Sequence, residues 1–291
     1  LVFIVAVTAR CGGASKEPVR FGEGLPVAIA TPTTSALERA MFDRVNRDRA
    51  KNQLPALKYD FKLADIARSH AADMRENHFF SHESPRFGLL EPRLRRAAYL
   101  FRTARENLAE APTVDDAESG LLKSPHHYEN LMSTDVTHVG IGIVQGGVQD
   151  PRNLTVTQIF STPGKLETDA EALTRITNAI SSLRQRSNVA KLVRNPVLDQ
   201  IAKEELASLA AEPNASSLKA IGTIVTKQLA RSPIKSVSGV SVSAQVLVDS
   251  SQFSIDGALL SAKATCYGLA VDHRSDTSVP RLRVLLIIGM R

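Results

Sequence analysis

Seven histidines carry most of the chemistry open to this chain, and their distribution is lopsided. His70, His78, His82, His126, His127 and His138 all fall in the first half, whereas the second half has none before His273. Two imidazoles and a carboxylate, such as His82, His127 and Glu106, can fill three positions of a zinc site and leave the fourth for water. A metal held that way lowers the pKa of its water to about 7, which permits hydrolysis. The same three groups can equally form a structural network in which Glu106 accepts hydrogen bonds from both rings, and their spacing alone does not make them converge. Other arrangements are poorer. His78 and His82 have the i, i+4 spacing of a metalloprotease helix but lack the adjacent Glu base and follow the end of their helix. His70 lies on an apolar helical stripe and reads as a core residue. Gly140-Ile-Gly142 sits inside a strand, so it is no nucleotide loop. With no G-x-S-x-G motif and no cysteine near the histidines, the sequence nominates no triad nucleophile.

Something must position these groups, and hydrophobic periodicity supplies the elements. Ser35 and Glu38 have capping-box spacing, predicting a helix to about Ala50 with Leu37, Met41 and Val45 on one face. A second helix is expected over Phe61 to Asn77, with Leu63, Ile66, Ala67, His70, Ala71 and Met74 on one stripe. Residues 78 to 114 carry Pro85, Gly88, Pro92 and Pro112 and read as largely irregular. A helix over Val114 to Lys123 precedes two strands, Thr137 to Val144 and Asn153 to Thr162. The second half repeats this plan. A displacement of 135 positions lays Leu37, Met41, Val45 and Arg49 on Ala172, Ile176, Ile180 and Arg184, and Leu63, Ile66 and Ala67 on Leu198, Ile201 and Ala202. Strands over Cys266 to Asp272 and Arg281 to Gly289 close it, so a duplicated domain is expected.

Composition limits the setting. Of 291 residues 43% are hydrophobic and 23% charged, enough for two cores and against disorder. A net charge of +6 suits anionic lipid or wall polymers, and no nucleic-acid-binding signature is present. Arg86, Arg93, Arg95, Arg96, Arg102 and Arg105 crowd a short stretch with one acid, Glu91, as a charged surface near the histidines would. Leu1 to Ala9 is apolar but too short to span a bilayer. With Cys11 and a Pro/Gly-rich stretch behind it, it resembles a bacterial lipoprotein signal, with Cys11 lipidated and residues 12–32 a tether; the alternatives are another secretion signal or short anchor, or a buried apolar segment of the fold. Only Cys11 and Cys266 exist, so no disulfide framework is expected, and Cys266 reads as a small buried hydrophobe.

The stretch ADIARSHAADMRENHFFSHESPRFG, followed by RENLAE, LLKSPHHYENLM, VGIGIV and TQIFSTP, resembles the CAP superfamily (cysteine-rich secretory, antigen 5 and pathogenesis-related proteins), and within it the bacterial secreted branch. The resemblance covers residues 35 to 163. It implies an α+β fold, a three-layer α-β-α sandwich, with a cleft lined by two His and up to two Glu. His82 falls on the first His, Glu106 on the first Glu and His127 on the His of the bacterial SPGH motif. Ser124 stands where eukaryotic members have a second Glu, and Thr155 where they have their second His. Leu121, Arg105 and His126 replace a tryptophan and two glycines. The expected organisation is a signal remnant at 1–11, a tether at 12–32, a CAP domain at 33–165 and a degenerate copy at 168–291 without the cleft residues. Family members include lipid and sterol binders and some linked to proteolysis. The expected function is therefore an extracytoplasmic, envelope-tethered module. It would bind an anionic or amphipathic ligand in a cleft of His82, Glu106, Ser124 and His127 that can hold zinc. The alternatives are a metal-assisted hydrolase using His82, Glu106 and His127, disfavoured by the missing second acid, and a scaffold whose residues 168–291 meet a protein partner.

Overall fold

The first helix, α1 (Pro32–Lys51), starts earlier than Ser35. Thr31 caps it: its hydroxyl accepts from the Thr34 amide while the Thr31 amide donates to the Thr34 hydroxyl, with Pro32 in the first turn. Glu38, the expected box partner, is instead turned into the interior, where Arg68 pairs with it at 2.8 Å. Helix α2 (Phe61–Glu76) is capped by Asp60, which accepts from the Leu63 amide, and buries the predicted apolar stripe together with His70. The described residues of this computed structural model are 3–10, 24–25, 28–209, 215–230, 237–254, 257–274 and 281–291. They divide into two units, Leu1–Gly164 and Lys165–Arg291. Cys11 and most of the expected tether lie outside the described residues, and among those described no helix is long and apolar enough to cross a membrane.

The segment expected to be irregular contains two elements, helix α3 (Leu90–Arg96) and strand β3 (Phe101–Ala111). Strand β3 hides from pattern reading because its interior positions include charges, Glu106 and Glu110, which look like solvent-facing residues. Strands β1 (Phe3–Arg10), β2 (Lys58–Tyr59), β4 (His138–Gln145) and β5 (Leu154–Pro163) join β3 in the order β1-β3-β5-β4-β2. Pairing is antiparallel except for β2 beside β4. Residues Phe3–Arg10, which include most of the apolar run, pair as a strand along the edge of the sheet, with Val7 opposite Glu106; the β-branched composition suits a strand. Helices α4 (Val114–Lys123) and α5 (Pro125–Leu131) pack with α1 on one face, where Met41, Val45, Leu121 and Leu131 meet Ile141, Val156 and Phe160. On the opposite face Leu63, Ile66, Ala67, Leu90 and Leu94 of α2 and α3 meet Ala104 and Ile159. That gives the first unit its α-β-α layering. Gly140 and Gly142 let α2 lie directly on β4, since a Cβ at Gly142 would come within 2.0 Å of the Arg68 nitrogen.

The second unit has helices α6 (Asp169–Arg186), α7 (Pro196–Ser208) and α8 (Ala215–Ala230) and strands β6 (Val193–Arg194), β7 (Gly239–Leu247), β8 (Ala264–Arg274) and β9 (Arg281–Met290). Its sheet runs β6-β8-β9-β7, with β6 parallel to β8 and the rest antiparallel. This is the order and direction of β2, β4, β5 and β3 in the first unit. Ile176 and Ile180 of α6 cover one face, and Leu198, Ile201, Ile221 and Val225 of α7 and α8 cover the other. Two further details recur. Arg49, buried in α1, donates to the carbonyls of Pro55, Leu131 and Ser133; Arg184, buried in α6, donates to those of Ala190, Leu259 and Ser261. Gln53 and Asn188, just past these two helices, both take a left-handed backbone, with φ of 57° and 52°.

Candidate functional site

Strand β3 carries polar side chains into both faces of its sheet, because consecutive residues point in opposite directions. Glu106 points to the α2–α3 side. His82, in the loop after α2, places Nδ1 2.8 Å from Glu106 Oε1. Arg93 of α3 grips the same carboxylate with both terminal nitrogens, Nη1 to Oε2 and Nη2 to Oε1, each at 2.8 Å. Arg93 also donates to the His82 carbonyl at 3.1 Å. All three are sealed, with exposures of 3% for His82, 1% for Arg93 and 0% for Glu106.

The electrostatics follow from this geometry. Burial by itself raises a carboxyl pKa, but the Arg93 charge and the hydrogen bonds from His82 and Arg93 outweigh it, holding Glu106 well below the usual carboxylate range. Glu106 is therefore an anion at every physiological pH. The anionic Glu106 accepts from His82 Nδ1–H, and His82 Nε2 has no hydrogen-bond partner among the described residues. His70 packs nearby with Nε2 3.0 Å from the Ser81 carbonyl. Burial, followed by the Arg93 charge, pushes its pKa down to about 3, so it stays neutral, as a core histidine should.

Asn107 points to the other face, toward α4 and α5. Its amide nitrogen lies 3.3 Å from the His127 carbonyl and 3.2 Å from Gln158 Oε1. Asn130 of α5 donates to Asn107 Oδ1 at 2.8 Å and to the Glu106 carbonyl at 3.1 Å. Gln158 in turn donates to Glu118 of α4 at 2.9 Å. Glu118 is 1% exposed, its second oxygen has no partner among the described residues, and burial pushes its pKa up to about 7. His127, buried in α5, is tied into this second network through its carbonyl. Ser124 sits at the junction of α4 and α5, its carbonyl accepting from the Tyr128 amide. Thr155 lies opposite Glu110 on β3, away from Glu106, and bonds the Gly146 carbonyl.

The structure thus brings His82 and Glu106 together and places His127 and Ser124 on α5 and its junction with α4. The three-ligand zinc arrangement expected from sequence does not fit these side chains. Both Glu106 oxygens already face a guanidinium, a cation that a divalent metal would have to displace, and the group is buried instead of lining an open cleft. Among the described residues no three His, Cys, Asp or Glu side chains gather closely enough to hold a metal. The arginine cluster also reads differently in three dimensions. Arg93 is interior, Arg95 pairs with Glu91, Arg105 pairs with Asp135, and Arg86 and Arg96 lie over the Phe87 ring. Sequence reasoning missed Arg93 as a site residue by counting it among surface charges. The available signal was its spacing with Leu90 and Leu94, which puts it on the buried face of α3.

Comparison with known proteins bears on the first unit. Residues 42–160 match the profile of the cysteine-rich secretory protein family, CAP, and form a CAP domain. The uncharacterized membrane protein YlbC of Bacillus subtilis is 37% identical over 115 residues, 38% of this chain and 32% of that protein. The uncharacterized protein YkwD of the same organism is 29% identical over 135 residues, 46% of this chain and 52% of that one. Among solved structures, an extracellular protein containing a SCP domain from Bacillus anthracis is 32% identical, covering 46% of this chain and 44% of the other, with a TM-score of 0.41. The chain thus spans about half or less of each relative's length.

Proposed function

From a CAP domain over residues 42–160 joined to a second unit, we propose that this protein is a ligand-binding or interaction module working outside the cytoplasmic membrane, in the cell envelope. One observation carries the choice of a binding module over a metal-assisted hydrolase: Arg93 grips both oxygens of Glu106. A carboxylate so held is a poor general base or acid, because its proton affinity lies far below working pH. It is also a poor metal ligand, because its lone pairs are committed. His82, Glu106 and Arg93 act as a buried lock that fixes the loop after α2 against β3. Location is supported by relatives described as extracellular and membrane proteins, and by reading the apolar run before Cys11 as a lipoprotein-type signal, which would leave the sheet's edge, β1 included, when Cys11 is processed. We take Cys11 to be the lipidated anchor. The second unit is read as a diverged copy of the first, on the strength of the shared strand order, the matching Arg49 and Arg184 clamps and the paired left-handed residues. It has kept the frame and lost the lock, having Asp272–Arg283 but no His–Glu–Arg cluster among its described residues.

The test is a zinc titration by calorimetry on the metal-stripped chain beside its His82→Ala/His127→Ala variant, with ester and peptide hydrolysis measured at each zinc level. The expected result is no stoichiometric zinc site, no hydrolysis and a less stable variant. A single zinc site in the parent that vanishes in the variant would overturn the binding-module reading and reinstate the hydrolase.

A further inference from the structure

Row by row, the sheet of the second unit stops one strand short of the first. In the first unit Gly140 of β4 lies opposite Ile159 of β5, Ile159 opposite Glu106 of β3, and Glu106 opposite Val7 of β1. The same row in the second unit runs from Gly268 of β8 through Ile287 of β9 to Val242 of β7, with no strand beyond it among the described residues. Strand β7 is therefore an edge nine residues long, paired to β9 without a bulge. Open edges in natural sheets are blunted by lysine, proline, a bulge or shortness. Strand β6, at the other side of this sheet, is two residues long, but Gly239–Leu247 (GVSVSAQVL) carries neither charge nor proline. Strand β1 shows what the equivalent edge accepts: an antiparallel strand, rich in β-branched residues and uncharged until Arg10.

An open edge alone names no occupant, and the helix beside it supplies the chemistry. A groove of about 730 Å³ lies between α8 and β7. Val240 and Val242, on the α8 side of the strand, line it together with Leu218. Lys219 and Lys227 line it from one face of α8, about 12 Å apart along the helix axis, the length of about four residues of extended chain. Neither α8 nor β7 contains an acidic residue, and neither lysine pairs with an acid among the described residues. Gly222 opens the wall between the lysines. Glycine inside a helix is destabilising relative to alanine. Close packing does not require it here, unlike at Gly140 and Gly268, because a Cβ at Gly222 would meet nothing nearer than Val242 Cγ2 at 3.9 Å.

We propose that the groove between α8 and β7 binds an extended acidic segment of a partner protein as a fifth strand of this sheet, antiparallel to β7. Main-chain hydrogen bonds to β7 hold such a strand, and pockets for alternate side chains select it. Here the pockets are the apolar floor of Val240 and Val242 and the two lysines, which take carboxylates. A second copy of this chain is a poorer occupant. Pairing β7 with its own copy sets α8 beside α8 and brings lysines against lysines. The site belongs to the second unit and does not depend on His82, Glu106 and Arg93.

The test uses the full chain, with a phage library displaying random nonapeptides as the probe. Selection should enrich peptides that have β-branched residues at alternate positions and acidic residues around them. Synthetic versions should bind one to one, with affinity falling as salt rises. Gly222→Leu fills the groove and replaces a poor helix former with a good one. It should weaken binding about tenfold or more without lowering the melting temperature of the second unit. Lys219→Ala/Lys227→Ala should remove most of the salt dependence. N-methylation of alternate peptide amides should abolish binding in one phase and spare it in the other, because only every second amide faces β7. Peptides that bind the parent and Gly222→Leu alike overturn the groove, and equal binding by both N-methylated series overturns the added strand. Selection that enriches nothing, or enriches basic peptides, overturns the proposal outright. So does sedimentation showing a dimer that Gly222→Leu dissolves, which makes the edge a contact between copies. The zinc titration reads the first unit alone, so the two readings fail separately.

Discussion

Replacing Arg93 with Met strands a carboxylate inside the first unit, and the cost is readable from the contacts. Arg93 supplies two charge-assisted hydrogen bonds to Glu106 and one to the His82 carbonyl, in a group with at most 3% exposure. Removing one partner of a buried ion pair costs about 3–5 kcal/mol, mostly the penalty of leaving the other charge without water. The pH dependence gives a second handle. In the parent, the depressed Glu106 pKa means that its contribution is fully present above the ordinary carboxylate value and is lost only as pH falls through the lower folded value. In Arg93→Met, burial loses its main opponent, the Arg93 charge, and the pKa rises although the His82 hydrogen bond remains, so protonation relieves the variant as pH drops. The gap to the parent should therefore be largest at pH 8 and narrow by about 1–2 kcal/mol at pH 5, a pKa unit being worth about 1.4 kcal/mol. Urea unfolding followed by tyrosine fluorescence suits the measurement: the chain has no Trp, and Tyr59, Tyr99 and Tyr128 lie in the first unit against Tyr267 in the second. Adding Glu106→Gln to Arg93→Met should recover at least about half of the loss at pH 8, since the stranded charge is gone. A loss under about 1 kcal/mol, equal at both pH values and unrelieved in the double variant, would refute the buried lock.

Glu118 should behave in the opposite sense. Its folded pKa is raised to about 7 from 4.5, so it subtracts stability as pH rises across that interval and no further above it. Glu118→Gln should gain roughly 3 kcal/mol over the parent at pH 8 and little at pH 4.5, measured by the same urea titration. Gly140→Ala and Gly268→Ala should each destabilise their own unit by about 2–3 kcal/mol, because a Cβ would come within 2.3 Å of Leu63 and Ala64 in one case and 2.2 Å of Leu198 in the other. Two separate melting transitions in calorimetry, one moved by each substitution, are the expected readout. A substitution that left both transitions in place would show that helix and strand are not in the contact described.

The long amphipathic elements were legible in the sequence because packing there obeys one period. Met41 and Val45 on α1, and Leu63, Ile66 and Ala67 on α2, are core residues as their spacing requires. Strand β3 was not legible, since Glu106, Asn107 and Glu110 are polar yet buried, each satisfied by partners that no local pattern announces. Glu110, for example, accepts from the amides of Val148, Gln149 and Asp150 and so shapes the turn between β4 and β5. The pairing of His82 with Glu106 came from motif resemblance, and the arginine between them was hidden by its charge.

The alternation of Glu106 and Asn107 on β3 also fixes how that strand can be aligned. Sliding a strand by one residue exchanges its two faces. Here such a slip would drive Glu106 into the layer of Met41, Leu121 and Phe160, away from Arg93. It would also turn Asn107 toward Leu63 and Leu94, away from Gln158 and Asn130. A hydrophobic strand tolerates misalignment better, because either face is greasy enough to be buried. Strand β3 is keyed on both sides by charges and amides that fit one alignment only, so its polar residues act as the teeth that set the sheet's register during folding.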